Sequence, residues 1–137
     1  MGPFRKGNES RMDDETEALA TAVTGAAIEV HRHLGPGLAE SVYKLAFSHE
    51  LDLRGIPHQC EAPVPICYKG KLAGEGKIDI LAARVLILEL KVVEQLSEVH
   101  RAQTIGYLQA TKLNLALLIN FNVAILRDGI KRVIRTD

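Results

Sequence analysis

Lys77-Ile78-Asp79-Ile80 and, a short connection later, Val85-Leu86-Ile87-Leu88-Glu89-Leu90-Lys91 decide how this chain reads. Asp79 is followed, after a gap of nine residues, by Glu-x-Lys in an otherwise apolar run. A strand alternates faces, so Glu89 and Lys91 project from the same side of theirs. A carboxylate and an ammonium inside such a run are costly to bury without partners. Their presence marks a site. In an antiparallel hairpin, Asp79 joins that face only if the connection holds an odd number of residues or a bulge. A two-residue turn at Ala82-Ala83 would send it to the other side. Neither Asn-Gly nor Asp-Gly stands there, so an odd connection is predicted, for instance Ala82-Ala83-Arg84.

Outward from this hairpin, the sequence predicts an order α-α-β-β-β-α-β-β. Asp14 followed by Glu17 resembles a capping box. Leu19, Ala22, Val23, Ala26, Val30 and Leu34 then recur at helical spacing until Gly35-Pro36-Gly37 stops the helix. A second helix is predicted over residues 38–54, with Val42, Leu45, Ala46, His49 and Leu53 on one face, ended by Gly55 and Pro57. Residues 60–68 read as an edge strand, because Pro63 and Pro65 cannot donate to a ladder. Lys69-Gly70-Lys71 turns into strands over 72–81 and 84–93. Ser97 caps a third helix running to about Lys112. Residues 115–121 form a buried strand and 123–126 a further one, and Arg127-Asp128-Gly129 leads into a last strand over 130–134. Residues 1–12 read as a flexible leader and 13–137 as a single domain.

The composition fits that picture. A chain of 137 residues, 47% hydrophobic, builds one core. No apolar run approaches the roughly 20 residues that span a bilayer, and residues 1–17 lack the apolar stretch of a secretory signal. Cys60 and Cys67 are too few for a zinc cluster or a disulfide framework. Both read as buried reduced thiols, and the cytoplasm is the expected compartment. Lys and Arg number 17, as do Asp and Glu, so the net charge is zero. This argues mildly against a protein that grips long nucleic acid by charge alone. The front is acidic and the tail (Arg127, Lys131, Arg132, Arg135) basic, the latter reading as a solvated face.

Further polar residues are candidates for the same site. Glu40 falls in the first turn of the second helix, where the dipole favours an anion. On the third helix His100, Gln103 and Tyr107 share one stripe. Carboxylates converging without a cation repel one another, and Asp79 with Glu89 around a hard divalent ion relieves that. Oxygen-only ligands point to magnesium or manganese rather than zinc. Taken singly, each residue has a plain structural reading: a strand end for Glu89-x-Lys91, a helix-start anion for Glu40, a tethered buried ring for Tyr43, and helix-end charges for His31 and His33.

Gly37-x-x-Glu40, Gly76-x-x-Asp79, Glu89-x-Lys91 and Gln103-x-x-x-Tyr107 occur here in the order found in the PD-(D/E)XK nuclease superfamily, especially its RecB-like branch. Gly37-Leu38-Ala39-Glu40-Ser41-Val42-Tyr43 resembles the signature of the GxxExxY proteins, a bacterial family within it. Ala27-Ile28-Glu29-Val30-His31-Arg32 and His100 match that family as well. The resemblance spans about residues 16–135 and implies an α/β (α+β) restriction-endonuclease-like core, a mixed central sheet flanked by helices. It implies a magnesium-dependent nuclease, with manganese as substitute, hydrolysing phosphodiester bonds of DNA ahead of RNA. Asp79 and Glu89 would hold the metal and Glu40 would add a ligand or orient water. Lys91 would position the attacking water, making Glu40, Asp79, Glu89 and Lys91 the catalytic set. Gln103 and Tyr107 would line the site and contact the substrate backbone, with Lys77, His100 and Tyr43 in support. Lys77 stands where Arg is common in this pattern, and keeps charge without the bidentate fork. A non-catalytic nucleic-acid-binding or accessory protein that retains the fold is the alternative. A homodimer would supply binding surface that so small a chain lacks.

Overall fold

The structure, a computed structural model, describes Phe4 and residues 12–136. Most of the expected leader lies outside the described residues. The chain runs α1 (Asp14–Leu34), α2 (Glu40–Leu53), β1 (His58–Tyr68), β2 (Lys71–Ala82), β3 (Leu86–Lys91), α3 (Glu98–Thr111), β4 (Leu115–Asn120), a 3-10 turn (Leu126–Gly129) and β5 (Ile130–Ile134). This is the expected order α-α-β-β-β-α-β-β, with one strand fewer after α3 than the predicted ranges contain. The strand expected over 123–126 is absent: residues 122–125 bend and the 3-10 turn begins at Leu126. Four apolar residues between a buried strand and a Gly-terminated turn satisfy either pattern, and local periodicity cannot choose.

The helix ends follow from side chains. Asp13, one residue before the expected cap, accepts from the Thr16 N–H at 2.7 Å and opens α1. Gly35, at φ 68°, closes it and donates its N–H to His31 O. Ser97 and His100 form a reciprocal capping box at the start of α3.

One five-stranded sheet has the order β1-β2-β3-β4-β5. Its β3–β4 pair is parallel and the other three are antiparallel, a mixed sheet as expected. β3 and β4 are apolar almost throughout because both their faces are covered. On one face, α1 and α2 pack Val23, Ala26, Ala27, Val30, Tyr43, Phe47 and Leu51 over Ile80, Leu86, Leu88, Leu90, Leu115, Leu117 and Ile119. On the other, α3 brings Leu108 against Ala62, Val64, Ile78, Leu81, Ile87, Ala116, Leu118 and Val133.

α2 buries a different stripe from the expected one. Tyr43, Phe47 and Leu51 face inward, while Val42, Leu45 and Leu53 are exposed. The helix carries apolar residues on both sides, and the larger rings win the core because they bury more area. Cys67 is exposed rather than buried, since the end of β1 runs beyond the covered part of the sheet; Cys60 is half-buried.

Candidate active site

The β2–β3 connection decides whether the site can exist. The last ladder pair is Ala82↔Leu86, so the connection is Ala83-Arg84-Val85, three residues. This odd number is the expected one, reached one residue later than Ala82-Ala83-Arg84. Ala83 and Arg84 accommodate it at φ 49° and 66°. The register of Ile80↔Leu88 then sets Asp79 opposite Glu89 on a common face.

The regular ladder stops at Ile80↔Leu88, and carboxylates take over from it. The Asp79 N–H donates to Glu89 Oε2 at 2.9 Å, and the Leu90 N–H donates to Asp79 Oδ2 at 2.8 Å. Each side chain thus satisfies a backbone donor that the parting strands leave without a carbonyl. On the other edge of β2, Cys60↔Ile80 and Ala62↔Ile78 pair, while Glu61 between them sits at φ 54°. Ile80 packs under α1 and α2 but Ile78 packs under α3, although a flat strand would put both on one face. The ribbon therefore rolls over at Asp79. This roll lets a carboxylate from the middle of a strand meet groups from α2 and α3 at once.

From α2, Glu40 is the first helical residue and half-buried. Tyr43 fixes this corner. Its ring is fully buried and stacks on Phe121 at 4.7 Å, and its hydroxyl donates to Gly35 O and accepts from the Leu38 N–H. It is a tethered ring that positions the Gly37-to-Glu40 entry rather than a group facing the carboxylates. One turn after Glu40, Lys44 reaches Glu61 Oε1 at 2.6 Å and stands 3.8 Å from Asp79 Oδ1. From α3, Gln103 Oε1 accepts from Lys91 Nζ at 3.2 Å. Tyr107 lays its ring against Gly76, and its hydroxyl accepts from the Lys77 N–H at 3.4 Å. An alanine Cβ at position 76 would stand 2.5 Å from Tyr107 Cε1, so the close approach requires glycine. The Lys77 ammonium is exposed, 3.7 Å from Glu61. His100 Nδ1 accepts from the Ser97 N–H as part of the helix cap, and among the described residues none of its hydrogen bonds reaches the carboxylates.

The charges are poorly matched to a site without a cation. Glu89 is 3% exposed, and burial first, then the Asp79 charge, push its pKa from 4.5 to about 8. Asp79 is raised chiefly by burial, and Glu40 by burial and then by Asp79. Lys91 and Lys44 oppose these shifts at Glu40 and Asp79, and Lys91 does so at Glu89. Oxygen-only donors pushed towards neutrality by burial first and then by neighbouring carboxylates fit a hard divalent ion. Among the described residues, no group of three or more His, Cys, Asp or Glu side chains is arranged to hold a metal ion. Asp79 and Glu89, each hydrogen-bonded to the backbone of the other's strand, are the close pair of carboxylates. Two cavities of about 360 and 550 Å³ along α1 include none of these residues.

Residues 17–133 match the PD-(D/E)XK nuclease superfamily. The chain belongs to that superfamily. Its mixed sheet between α1–α2 and α3 is the superfamily's restriction-endonuclease-like core, and a nuclease-like function follows at that level. No curated protein matches the chain. Among the described residues, no helix is long and apolar enough to cross a membrane.

Lys44 and Glu61 are the residues that sequence reasoning missed. The Glu40-x-x-x-Lys44 spacing signals that both side chains lie on one helical face, but nothing local announces that Glu61 adopts a positive φ and turns toward them.

Proposed function

We propose that this protein is a metal-dependent nuclease of the GxxExxY type, hydrolysing phosphodiester bonds of DNA ahead of RNA. One observation carries the reading. Asp79 and Glu89 face each other across parting strands, with Glu89 buried at a pKa of about 8 and Lys91 one strand repeat away. A fold that maintains so costly a pair without a use for it would gain stability by losing it. Asp79 and Glu89 would hold magnesium or manganese, with Glu40 reaching it through water. When bound, the ion supplies charge for the phosphoryl oxygens and acidifies water.

The remaining roles belong to the chain. Lys91, steadied by Gln103, orients the attacking water and offsets charge growing on the phosphate. Lys44, 3.8 Å from Asp79, and Lys77, 3.7 Å from Glu61, offer positive charge to an approaching substrate phosphate. The zero net charge, which argues against gripping nucleic acid by charge alone, favours a second reading, a non-catalytic accessory subunit that retains the fold. Cleavage of single- and double-stranded DNA and RNA with magnesium or manganese separates the two, comparing wild type with Lys91→Ala. The nuclease reading expects metal-dependent cleavage lost in the variant. It is overturned by absence of cleavage on every substrate, or by equal cleavage in both proteins.

A further inference from the structure

The ribbon made by β1 and β2 extends far past the sheet it starts in. β2 pairs with β3 only over residues 80–82, yet β1 and β2 stay paired from His58↔Ala82 out to Tyr68↔Lys71. Ala62, Val64 and Ile78 still pack under α3, and Ile66 does so in part. Beyond them, all residues of 67–75 are exposed. The tip is a two-residue turn, Lys69-Gly70, with φ 49° and 82°. Positive φ at both positions is the type I′ geometry that continues a right-handed strand twist, and the register shift at Ile66/Cys67 adds to it.

This tip is cationic in a chain of zero net charge. Lys69 and Lys71 stand on it, with Lys77 at its base, and Glu75 is the one carboxylate among residues 62–78. Lys69 Nζ lies 5.4 Å over the Tyr68 ring, and Tyr68 and Leu72 are 67% and 62% exposed. Its root is rigid: Gly76 lies under Tyr107, whose hydroxyl accepts from the Lys77 N–H, and Asp79 follows two residues later.

We propose that residues 67–75 form an arm that enters the major groove of duplex DNA beside the reactive carboxylates, making double-stranded DNA the substrate of this site. The inference rests on the nuclease reading. The B-form major groove, about 12 Å wide, admits a two-stranded ribbon, whereas that of A-form RNA is too deep and narrow for side chains to read. Lys69 and Lys71 meet the flanking phosphates, while Tyr68 and Leu72 offer apolar contact of the kind thymine methyls accept. Lys71 is eight residues from Asp79, and at about 3.3 Å per residue the arm reaches roughly 26 Å, about eight base-pair steps from the carboxylates.

The test is binding of the full chain, in EDTA, to labelled duplex DNA of about 24 base pairs, three times that reach. Single-stranded DNA and duplex RNA of the same length are measured beside it. Wild type is compared with Lys69→Ala/Lys71→Ala and with Tyr68→Ala. All three side chains are exposed, so unchanged melting shows the variants fold. The double variant is expected to bind duplex DNA roughly tenfold or more weakly, with a log–log salt slope shallower by about 2. Its binding to the other two ligands should change less than about twofold. Equal binding to duplex DNA, or the same loss on all three ligands, overturns the arm while leaving the nuclease reading intact. A changed sedimentation mass with duplex affinity unchanged makes the tip a contact between copies and likewise overturns it. Absence of duplex binding by wild type also overturns the arm, while the nuclease reading is decided separately by the cleavage assay.

Discussion

Replacing Glu89 by Gln should stabilise the protein, and should do so as a function of pH. Gln keeps an oxygen to accept the Asp79 N–H, and its amide replaces the proton that a neutral Glu89 carries. The folded-state pKa is about 8 against 4.5 for the free side chain. Raised above its unfolded value, the group favours the fold below pH 4.5 and loses that contribution as pH climbs to about 8. At pH 7 the unfolded chain has lost the proton and the native protein still holds it. The linkage over about 2.5 pH units, at 1.36 kcal/mol each, costs wild type about 3 kcal/mol. Glu89→Gln escapes that cost. In EDTA, its gain should be below about 1 kcal/mol at pH 5 and about 3 kcal/mol at pH 7. Near neutrality this is a rise of roughly 10 °C in Tm for a domain of this size. Urea or thermal unfolding at several pH values reads it. A variant no more stable than wild type at pH 7, or a gain that does not change between pH 5 and 8, would refute the reasoning.

Three further substitutions probe the supports of the site. Gly76→Ala drives a Cβ into the Tyr107 ring, and should cost about 1–3 kcal/mol in urea unfolding. Adding Tyr107→Ala should make the double variant lose less than the two single losses together. Tyr43→Phe removes a hydroxyl bonded to Gly35 O and the Leu38 N–H, and should cost about 1–3 kcal/mol by the same assay. Lys44→Met removes an ammonium 3.8 Å from Asp79 Oδ1. Manganese titration should then show affinity raised about fivefold, the equivalent of about 1 kcal/mol for a partly exposed pair, because the ion no longer competes with a cation.

Much of the hairpin that holds the site was legible because its logic is parity. The Asp79-to-Glu89 spacing, the absence of a two-residue turn signal and strand alternation together require an odd connection, and Ala83-Arg84-Val85 supplies one. What stayed hidden is where backbone conformation departs from local preference. Glu61, Ala83 and Arg84 all adopt positive φ without being glycine, and nothing in their own side chains announces it. The roll of the ribbon at Asp79 and the Lys44–Glu61 pair depend on tertiary packing around those residues. The α2 face was misjudged for a related reason. Val42, Leu45 and Leu53 make as good a helical stripe as Tyr43, Phe47 and Leu51, and the larger rings of the latter, with Phe121 as their stacking partner, decide which turns inward. Gln103 and Tyr107 lie beside the hairpin, where their contacts are with Lys91 and with Gly76 and Lys77.

The central claim is that Asp79 and Glu89 are a metal-binding pair kept in readiness at a cost in stability. Calorimetric titration with manganese at pH 7, in two buffers of different ionisation enthalpy, tests it most directly. Because Glu89 holds its proton until about pH 8, binding there must displace it. Wild type should release about one proton per ion bound, while Asp79→Asn and Glu89→Gln should bind weakly or not at all. Binding with no proton release, or binding that survives both substitutions unchanged, would contradict the account.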